Sequence, residues 1–286
     1  MSPAARVFTE QPGRAVTADL TYIVRQDTKP YFESSRLTGG EPKVYFRTEQ
    51  VSAEIQDMRN IKAKLSIDVQ GFEILHRPTK VTDLQDDGAI ESEYNQELIA
   101  MLKVHTGADS VVIFDHTRRS DTPGGATNQD GLRGPASRVH CDYTVKSGPQ
   151  RAKYTMGEAE VERVISSGGR IVQVNVWRPI KGPVRRSPLA LADAGSIPAD
   201  DLIATDQHFP DRIGEIYQLA RGAGHRWYFA SEMQPDEVIL IKGWDSIDDG
   251  RALFTPHGAF HHPDETTETP ARESIETRTH LVFEAR

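Results

Sequence analysis

Residues 138–144 of the chain read RVHCDYT, and the strand predicted here carries two side chains of metal-binding type. On a β-strand, residues two positions apart point to the same face, so His140 and Asp142 present an imidazole and a carboxylate together. A second imidazole from another strand would complete the 2-His-1-carboxylate triad, which binds Fe(II) on one face and leaves positions open. An H-x-D pair alone is more often structural, so the prediction depends on a third ligand elsewhere in the chain.

Length and composition restrict the class of protein. The chain has 286 residues, 37% of them hydrophobic, and a net charge of −8. A chain of this size can bury a large core, and β-barrels of about 200 residues or more often form single domains. The acidic charge argues against a nucleic-acid surface, and no apolar run is long enough to span a bilayer.

Cys141 is the only cysteine, which excludes an internal disulfide and a cysteine-bound metal cluster. A single thiol fits a reducing compartment, and the polar N-terminus lacks the apolar segment of a signal peptide. We therefore expect a cytoplasmic protein with no nucleic-acid or membrane partner, and the sequence leaves a homodimer open. Cys141 alternates away from the H-x-D face and is expected to be a small core residue.

Alternating apolar and polar residues predict β-strands along most of the chain. The predicted strands cover residues 17–25, 43–48, 71–75, 109–116, 170–177, 227–233, 237–244 and 274–283, with an edge strand near 189–191. Residues 234–236 (QPD) predict a hairpin between the two strands that flank them. Helical spacing predicts helices over 92–103 and 157–166, while 211–220 fits a helix or a strand. The excess of strands in the second half is typical of an antiparallel sandwich or barrel.

The clearest predicted strand, RIVQVNVW, separates a valine face from a polar face. The valine face is predicted to pack against a core. On the other face, Asn175 and Trp177 could line a substrate cavity or could simply pack within the sheet. Tyr143 and Arg118 are further candidates for contact with a substrate. The Gly-rich loop at 119–137 leads directly to the H-x-D pair and is a candidate gate.

The third metal ligand is expected to be His257, which lies in the stretch TPHGAF among small residues that let a metal approach closely. His261 and His262 stand in a turn and are expected to be exposed. An R-x-S pair, Arg272 and Ser274, begins the last predicted strand 15 positions after His257. On a strand this guanidinium fork and this hydroxyl would share a face, and together they suit a bound carboxylate.

The order H-x-D, His and R-x-S resembles that of the Fe(II)/2-oxoglutarate oxygenases built on a double-stranded β-helix. Several blocks of sequence further resemble one natural-product family of these enzymes, which includes a fungal gibberellin desaturase, an aspergillic acid hydroxylase and a component of cephamycin 7α-methoxylation. The blocks are residues 140–144 (HCDYT), 175–179 (NVWRP), 187–192 (SPLALA), 227–233 (WYFASEM), 242–246 (KGWDS), 256–260 (PHGAF) and 272–278 (RESIETR).

The resemblance implies a mainly β fold with flanking helices around a double-stranded β-helix (jelly-roll, cupin-like) core, in one oxygenase domain over residues 1–286. Residues 1–90 would supply N-terminal strands and a flanking region. Residues 91–286 would supply a helix and the β-helix core, with an insertion at about 179–225.

The resemblance also assigns roles in the site. The H-x-D pair and His257 would bind Fe(II), and Arg272 with Ser274 would hold 2-oxoglutarate, while O2 takes the last metal position. The separation of His257 from Arg272 is longer than is usual in these enzymes, so Arg278 on the same strand face is an alternative to Arg272. The substrate would be a small molecule of secondary metabolism that is hydroxylated or desaturated. Two alternatives stay open: a cupin-type metal enzyme that does not use 2-oxoglutarate, and a non-catalytic binding protein.

Overall fold

A ten-stranded β-sheet forms one layer of the computed structural model, which describes residues 13–128 and 131–286. Its strands, numbered along the chain and given in spatial order, are β1 (Val16–Ile23), β4 (Thr48–Asp57), β14 (Trp227–Phe229), β11 (Leu189–Ala192), β16 (His257–Ala259), β9 (His140–Cys141), β13 (Ile213–Leu219), β12 (Leu202–His208), β2 (Tyr31–Glu33) and β3 (Lys43–Val44). Only the pairs β14–β4 and β12–β2 among these described neighbours are parallel. We call this layer the ligand sheet, because it carries both candidate metal-binding histidines. Residues 1–12 of the predicted N-terminal region lie outside the described residues.

A five-stranded antiparallel sheet, the facing sheet, forms the second layer. Its strands in spatial order are β5 (Phe72–His76), β15 (Glu237–Asp245), β10 (Arg170–Pro179), β17 (Glu273–Phe283) and β6 (Ser110–Ser120). A small separate hairpin pairs β7 (Ala126–Asn128) with β8 (Gly131–Arg133). The two sheets pack on each other where Leu191 of the ligand sheet meets Ile239 and Ile241 of the facing sheet. Each fully buried aliphatic side chain of this kind stabilises the fold by about 1.5–3 kcal/mol.

Helices flank the two sheets. They are α1 (Ser35–Thr38), α2 (Asp87–Ala89), α3 (Asn95–Thr106), α4 (Ser147–Met156) and α5 (Glu158–Ser166), with 3₁₀ turns at Met58–Lys64, Ala194–Ser196 and Ala199–Asp201 and a π turn at Ile90–Tyr94. Leu98 and Leu102 lie four positions apart on α3 and pack against the outer face of the facing sheet. The helix ends where Gly107 takes a left-handed conformation with φ of 75°, which glycine adopts without steric cost.

Strand β10 shows which face of the facing sheet points toward the ligand sheet. Its valines pack under α3 in the outer cluster, as the alternation predicts. Its other face therefore points between the two sheets, and Asn175 on that face contacts Asp142 of the opposite layer. The mainly β fold with flanking helices agrees with the sequence prediction.

Several local predictions differ from the structure. Strand β11 is not an edge strand, because it lies between β14 and β16 and is buried along its whole length. Residues 227–233 and 237–244 do not form a hairpin, because β14 joins the ligand sheet while β15 joins the facing sheet. Residues 211–220 contain a strand, β13, and the segment predicted as an insertion contributes β11, β12 and β13 to the ligand sheet.

Two further elements are not evident from the sequence pattern. Helix α4 has the sequence SGPQRAKYTM, which lacks an apolar periodicity. The loop predicted at 119–137 contains the end of β6 and the hairpin of β7 and β8. Among the described residues, no helix is both long enough and apolar enough to cross a membrane.

Candidate metal centre

Two neighbouring strands of the ligand sheet bring the candidate metal ligands together. His140 on β9 is paired directly with His257 on β16, and their ring centroids lie 4.7 Å apart. Asp142 follows β9, with its Oδ1 atom 3.6 Å from His140 Nε2. One ligand atom from each of the three residues lies within 4.8 Å of the other two. The structure thus unites the three residues that the sequence pattern selects.

Backbone contacts orient both imidazoles. His140 Nδ1 lies 2.8 Å from the carbonyl oxygen of Arg138, and His257 Nδ1 lies 2.9 Å from that of Thr255. A carbonyl oxygen only accepts hydrogen bonds, so each Nδ1 carries the proton and each Nε2 keeps its lone pair. This is the usual arrangement for histidines that bind a metal through Nε2. Burial and the neighbouring His140 lower the pKa of His257, which favours the neutral imidazole that metals require.

The facing sheet holds the outer oxygen of the Asp142 carboxylate. Asn175 donates to Asp142 Oδ2 at 2.5 Å, and the Arg278 guanidinium lies 3.5 Å from the same oxygen. Gln173 in turn donates to the side-chain oxygen of Asn175 at 2.5 Å, which fixes the orientation of that amide. Burial alone would disfavour a charged Asp142, but Arg278 and the two histidines hold its pKa well below the usual range. Oδ1 therefore stays ionised and directed toward the imidazoles, so the three side chains fit a divalent iron.

Arg278 is surrounded by acids. Its guanidinium lies 2.5 Å from Asp115 and 2.5 Å from Glu276, in addition to the contact with Asp142. The contact with Glu276 is an ion pair rather than a directed hydrogen bond, because that oxygen has no hydrogen-bond partner of acceptable geometry. These carboxylates raise the pKa of Arg278 despite its burial. A further anion such as 2-oxoglutarate would have to compete with the three acids already in place.

Arg272 has the opposite environment. It is 3% exposed, and no ion pair to it is found within the described part of the chain. Its guanidinium donates to the carbonyl oxygen of Ser187 at 2.7 Å and lies 5.7 Å from the centre of the Trp177 ring, while its Nε has no partner. Burial, together with the positive charge of Arg119, lowers the pKa of Arg272 to about 10. A buried cation that lacks an anion is a ready site for a carboxylate.

The four residues predicted to contact a substrate lie in different environments. Tyr143 lines a cavity of about 1050 Å³ that also reaches His140 and Asp142. Asn175 is fully buried and supports Asp142, and Trp177 is buried beneath the Arg272 guanidinium, so neither of these two lines the cavity wall.

Arg118 also lines this cavity, but its guanidinium is bonded on the far side of the strand from the metal ligands. It is paired with Ile275, whose side chain lies on the outer face of the facing sheet, and its guanidinium contacts the Leu84 carbonyl and Asp87. The next residue, Arg119, is paired with Ser274 and therefore lies on the inner face. Sequence reasoning missed Arg119, because a one-residue difference in register decides which arginine faces the site.

Comparisons with known proteins agree with this geometry. A family profile described as "Oxidoreductase/YMDC permease-like domain" matches residues 20–283. The chain is 34% identical over 267 residues to the hydroxylase/desaturase efuI of Hormonema carpetanum, which covers 86% of this chain and 87% of the relative. It is 39% identical over 146 residues to the hydroxylase/desaturase asaB of Aspergillus flavus, which covers 46% of this chain and 63% of the relative.

A solved structure of an iron enzyme also resembles this chain over most of its length. The iron and alpha-ketoglutarate-dependent endoperoxidase NvfI superposes with a TM-score of 0.81 at 27% identity, covering 95% of this chain and 99% of that chain. Alpha-ketoglutarate is another name for 2-oxoglutarate, and this match confirms the predicted jelly-roll core. The chain therefore belongs to the Oxidoreductase/YMDC permease-like family, within its group of Fe(II)- and 2-oxoglutarate-dependent hydroxylases and desaturases.

Proposed function

We propose that this enzyme binds Fe(II) through His140, Asp142 and His257 and uses 2-oxoglutarate and O2 to hydroxylate or desaturate a small molecule of secondary metabolism. The observation that carries the assignment is the convergence of two proton-oriented imidazoles and one ionised carboxylate oxygen. When bound, iron and 2-oxoglutarate together supply the oxidation of an unactivated C–H bond, with release of succinate and CO2. The family relation favours this function over a cupin-type enzyme without 2-oxoglutarate and over a non-catalytic binding protein.

The chain's own residues position the reactants. The Asn175 amide and the Arg278 guanidinium engage Asp142 Oδ2, so this carboxylate offers one oxygen to the metal and is not free to chelate it. One fewer protein donor atom leaves more of the metal face open to cosubstrate, substrate and O2. The side chains of His140 and Asp142 are only 13% and 12% exposed, which limits the access of water to the reacting groups.

We assign the distal carboxylate of 2-oxoglutarate to Arg272 and Ser274. Arg272 is a buried cation with no acidic partner within the described residues, whereas Arg278 is already paired with Asp115 and Glu276. Ser274 is 1% exposed and follows Arg272 by two positions, so we expect its hydroxyl on the same side of the chain as the guanidinium. Arg119, paired with Ser274 across the sheet, would add positive charge at the same point.

A cytoplasmic location is part of the same proposal. Cys141 is a buried free thiol, of the kind that reducing compartments preserve. Fractionation of cells that express the tagged protein tests this location, and recovery in a secreted fraction would contradict it.

Anaerobic absorption spectroscopy tests the proposed chemistry. Adding Fe(II) and 2-oxoglutarate to the protein should produce a weak visible metal-to-ligand band, because the keto acid chelates the iron. The band should disappear in His140→Ala, since one of the three ligands is removed. The matched control is His261→Ala, which removes an exposed histidine paired with Glu265 and should keep the band. An absent band in the wild type, or an unchanged band in His140→Ala, would refute the assignment.

A further inference from the structure

The cavity in front of the metal ligands contains two more arginines without acidic partners. Arg138 and Arg151 both line the cavity of about 1050 Å³ that reaches His140 and Asp142. Neither of them forms an ion pair within residues 13–128 and 131–286. The proposed binding of 2-oxoglutarate at Arg272 uses neither, so their charge is available for another anion. This inference rests on the proposed function and concerns the substrate of the same site.

Arg138 is held over two aromatic rings. Its guanidinium carbon lies 5.6 Å from the centre of the Phe32 ring and 5.9 Å from that of Phe46. Its Nε atom is buried and has no hydrogen-bond partner. Burial lowers the pKa of Arg138, and the exposed Glu41 opposes this shift without abolishing it.

Arg151, on α4, has the same kind of environment. Its guanidinium carbon lies 5.0 Å from the centre of the Phe114 ring and 5.7 Å from that of Tyr154. Its Nε atom is also buried without a hydrogen-bond partner. Two different parts of the chain, the stretch before β9 and helix α4, therefore place a similarly stacked guanidinium at one cavity.

Stacking on an aromatic ring leaves the hydrogen-bond donors of a guanidinium without acceptors. The aromatic ring interacts with the face of the cation, while the N–H donors lie along its edge and still need acceptors. A carboxylate supplies two acceptor oxygens with the spacing of that planar fork. Stacking also fixes the fork in orientation, so a ligand loses less side-chain freedom on binding.

The acids in the cavity wall do not supply those acceptors. Asp87, Asp115 and Glu215 each form an ion pair with a cation other than Arg138 or Arg151. The remaining acids of the wall, apart from the metal ligand, are exposed to solvent. The guanidinium edges of Arg138 and Arg151 are therefore left without an acidic hydrogen-bond partner among the described residues of the wall, although the charge of Arg151 acts on Asp115.

We propose that the substrate is an organic acid, whose carboxylate is bound in this cavity by the guanidinium groups of Arg138 and Arg151. Phe32, Phe114 and Tyr154, which stack with the two arginines and line the cavity, would contact the apolar body of the same molecule. Binding the acid at this end would place its carbon skeleton next to the metal ligands. The enzyme would therefore discriminate against neutral molecules of the same shape.

Matched acid and amide probes test this inference. Decanoate, 3-phenylpropionate and indole-3-acetate are each compared with the corresponding primary amide by calorimetry, using enzyme loaded with Fe(II) and saturating 2-oxoglutarate under argon. At least one acid should bind about tenfold more tightly than its amide, since a hydrogen bond to a charged group is lost in the amide. The visible band of bound 2-oxoglutarate should persist throughout the titration, because the acid occupies a different site.

Variants then locate the site. In the double variant Arg138→Met, Arg151→Met the acid should bind no more tightly than the amide, while the 2-oxoglutarate band remains. The control is Arg212→Met, which removes another cavity arginine stacked on an aromatic ring, but one paired with Asp211 and exposed. This control should keep the preference for the acid.

Three outcomes would overturn the inference: no acid preferred over its amide by the wild type, an unchanged preference in the double variant, or loss of the 2-oxoglutarate band when acid is added. The first comparison needs no variant, so it holds even if the double variant does not fold. An absent 2-oxoglutarate band before any acid is added is a separate result, which contradicts the proposed function. Calorimetry still measures acid binding in that case.

Discussion

Replacing Arg272 with methionine should weaken 2-oxoglutarate binding without destabilising the protein. Burial and the nearby Arg119 lower the pKa of Arg272 from its usual value to about 10, and this shift corresponds to roughly 3 kcal/mol. Because the folded-state pKa of this base lies below its unfolded value, the charge destabilises the fold at every pH below about 10. Methionine removes that penalty. It also removes the hydrogen bond to Ser187 and the stacking on Trp177, together worth about 2–4 kcal/mol.

These opposing effects nearly cancel, so the free energy of unfolding in urea should change by less than about 2 kcal/mol. The affinity for 2-oxoglutarate should change far more. A lost hydrogen bond to a charged group corresponds to about 1.5–3 kcal/mol, or roughly a 10- to 150-fold rise in Kd. The Kd is measured by following the visible band as 2-oxoglutarate is added to the Fe(II) enzyme under argon.

The matched control is Arg278→Met on the same strand. Removing this guanidinium leaves Asp115, Glu276 and Asp142 without their shared cation, which should destabilise the protein by about 3–5 kcal/mol. The two variants should therefore lose different properties: Arg272→Met should lose affinity for 2-oxoglutarate, and Arg278→Met should lose stability. If Arg272→Met keeps its affinity for 2-oxoglutarate and instead loses more than about 3 kcal/mol of stability, Arg272 is a structural residue and our assignment is wrong.

Three further variants test the residues between the sheets. Asn175→Ala removes the donor to Asp142 Oδ2 and should weaken Fe(II) binding about 10- to 100-fold in an anaerobic titration; unchanged affinity would contradict the supporting role. Gly243→Ala would place a methyl group 1.7 Å from Gln173 Oε1, so we expect a loss of about 1–3 kcal/mol in urea unfolding, and a variant as stable as the wild type would argue against this packing. His280 is buried with no partner at either ring nitrogen, and burial, together with Arg151, lowers its pKa to about 3. The unfolded chain therefore takes up a proton near pH 6.5 that the folded protein does not, and the wild type loses stability as the pH falls. His280→Leu should reduce the loss of apoprotein stability between pH 6.5 and 4.5 by about 2–3 kcal/mol. Equal losses in both proteins would refute this.

The sequence was sufficient to select the H-x-D pair because that pattern is local. The H-x-D pair depends only on the alternation of a strand, and both of its residues are found beside His257. Helix α3 was predictable for the same reason, since its apolar spacing and its terminal Gly107 lie within one short stretch.

Pairing between distant strands could not be predicted in this way. The turn at 234–236 looks like a hairpin, but the local pattern does not reveal that the chain crosses there from one sheet to the other. The continuous apolar run of β11 does contain a sign of its central position, because an edge strand is seldom buried on both faces.

The same limit applies to the roles of individual residues. The alternation places Asn175 on the polar face of β10 but leaves open what it contacts, because that depends on how the two sheets pack; in the structure it donates to Asp142. Likewise, only the register between β6 and β17 shows that Arg119, and not Arg118, faces inward.

A crystal structure of the enzyme with Fe(II) and 2-oxoglutarate, grown under argon, tests the central claim most directly. We expect iron bound to Nε2 of His140, Nε2 of His257 and a single oxygen of Asp142, with the distal carboxylate of 2-oxoglutarate on Arg272. Iron bound elsewhere, or 2-oxoglutarate held by Arg278 while Arg272 keeps no anion, would contradict the account.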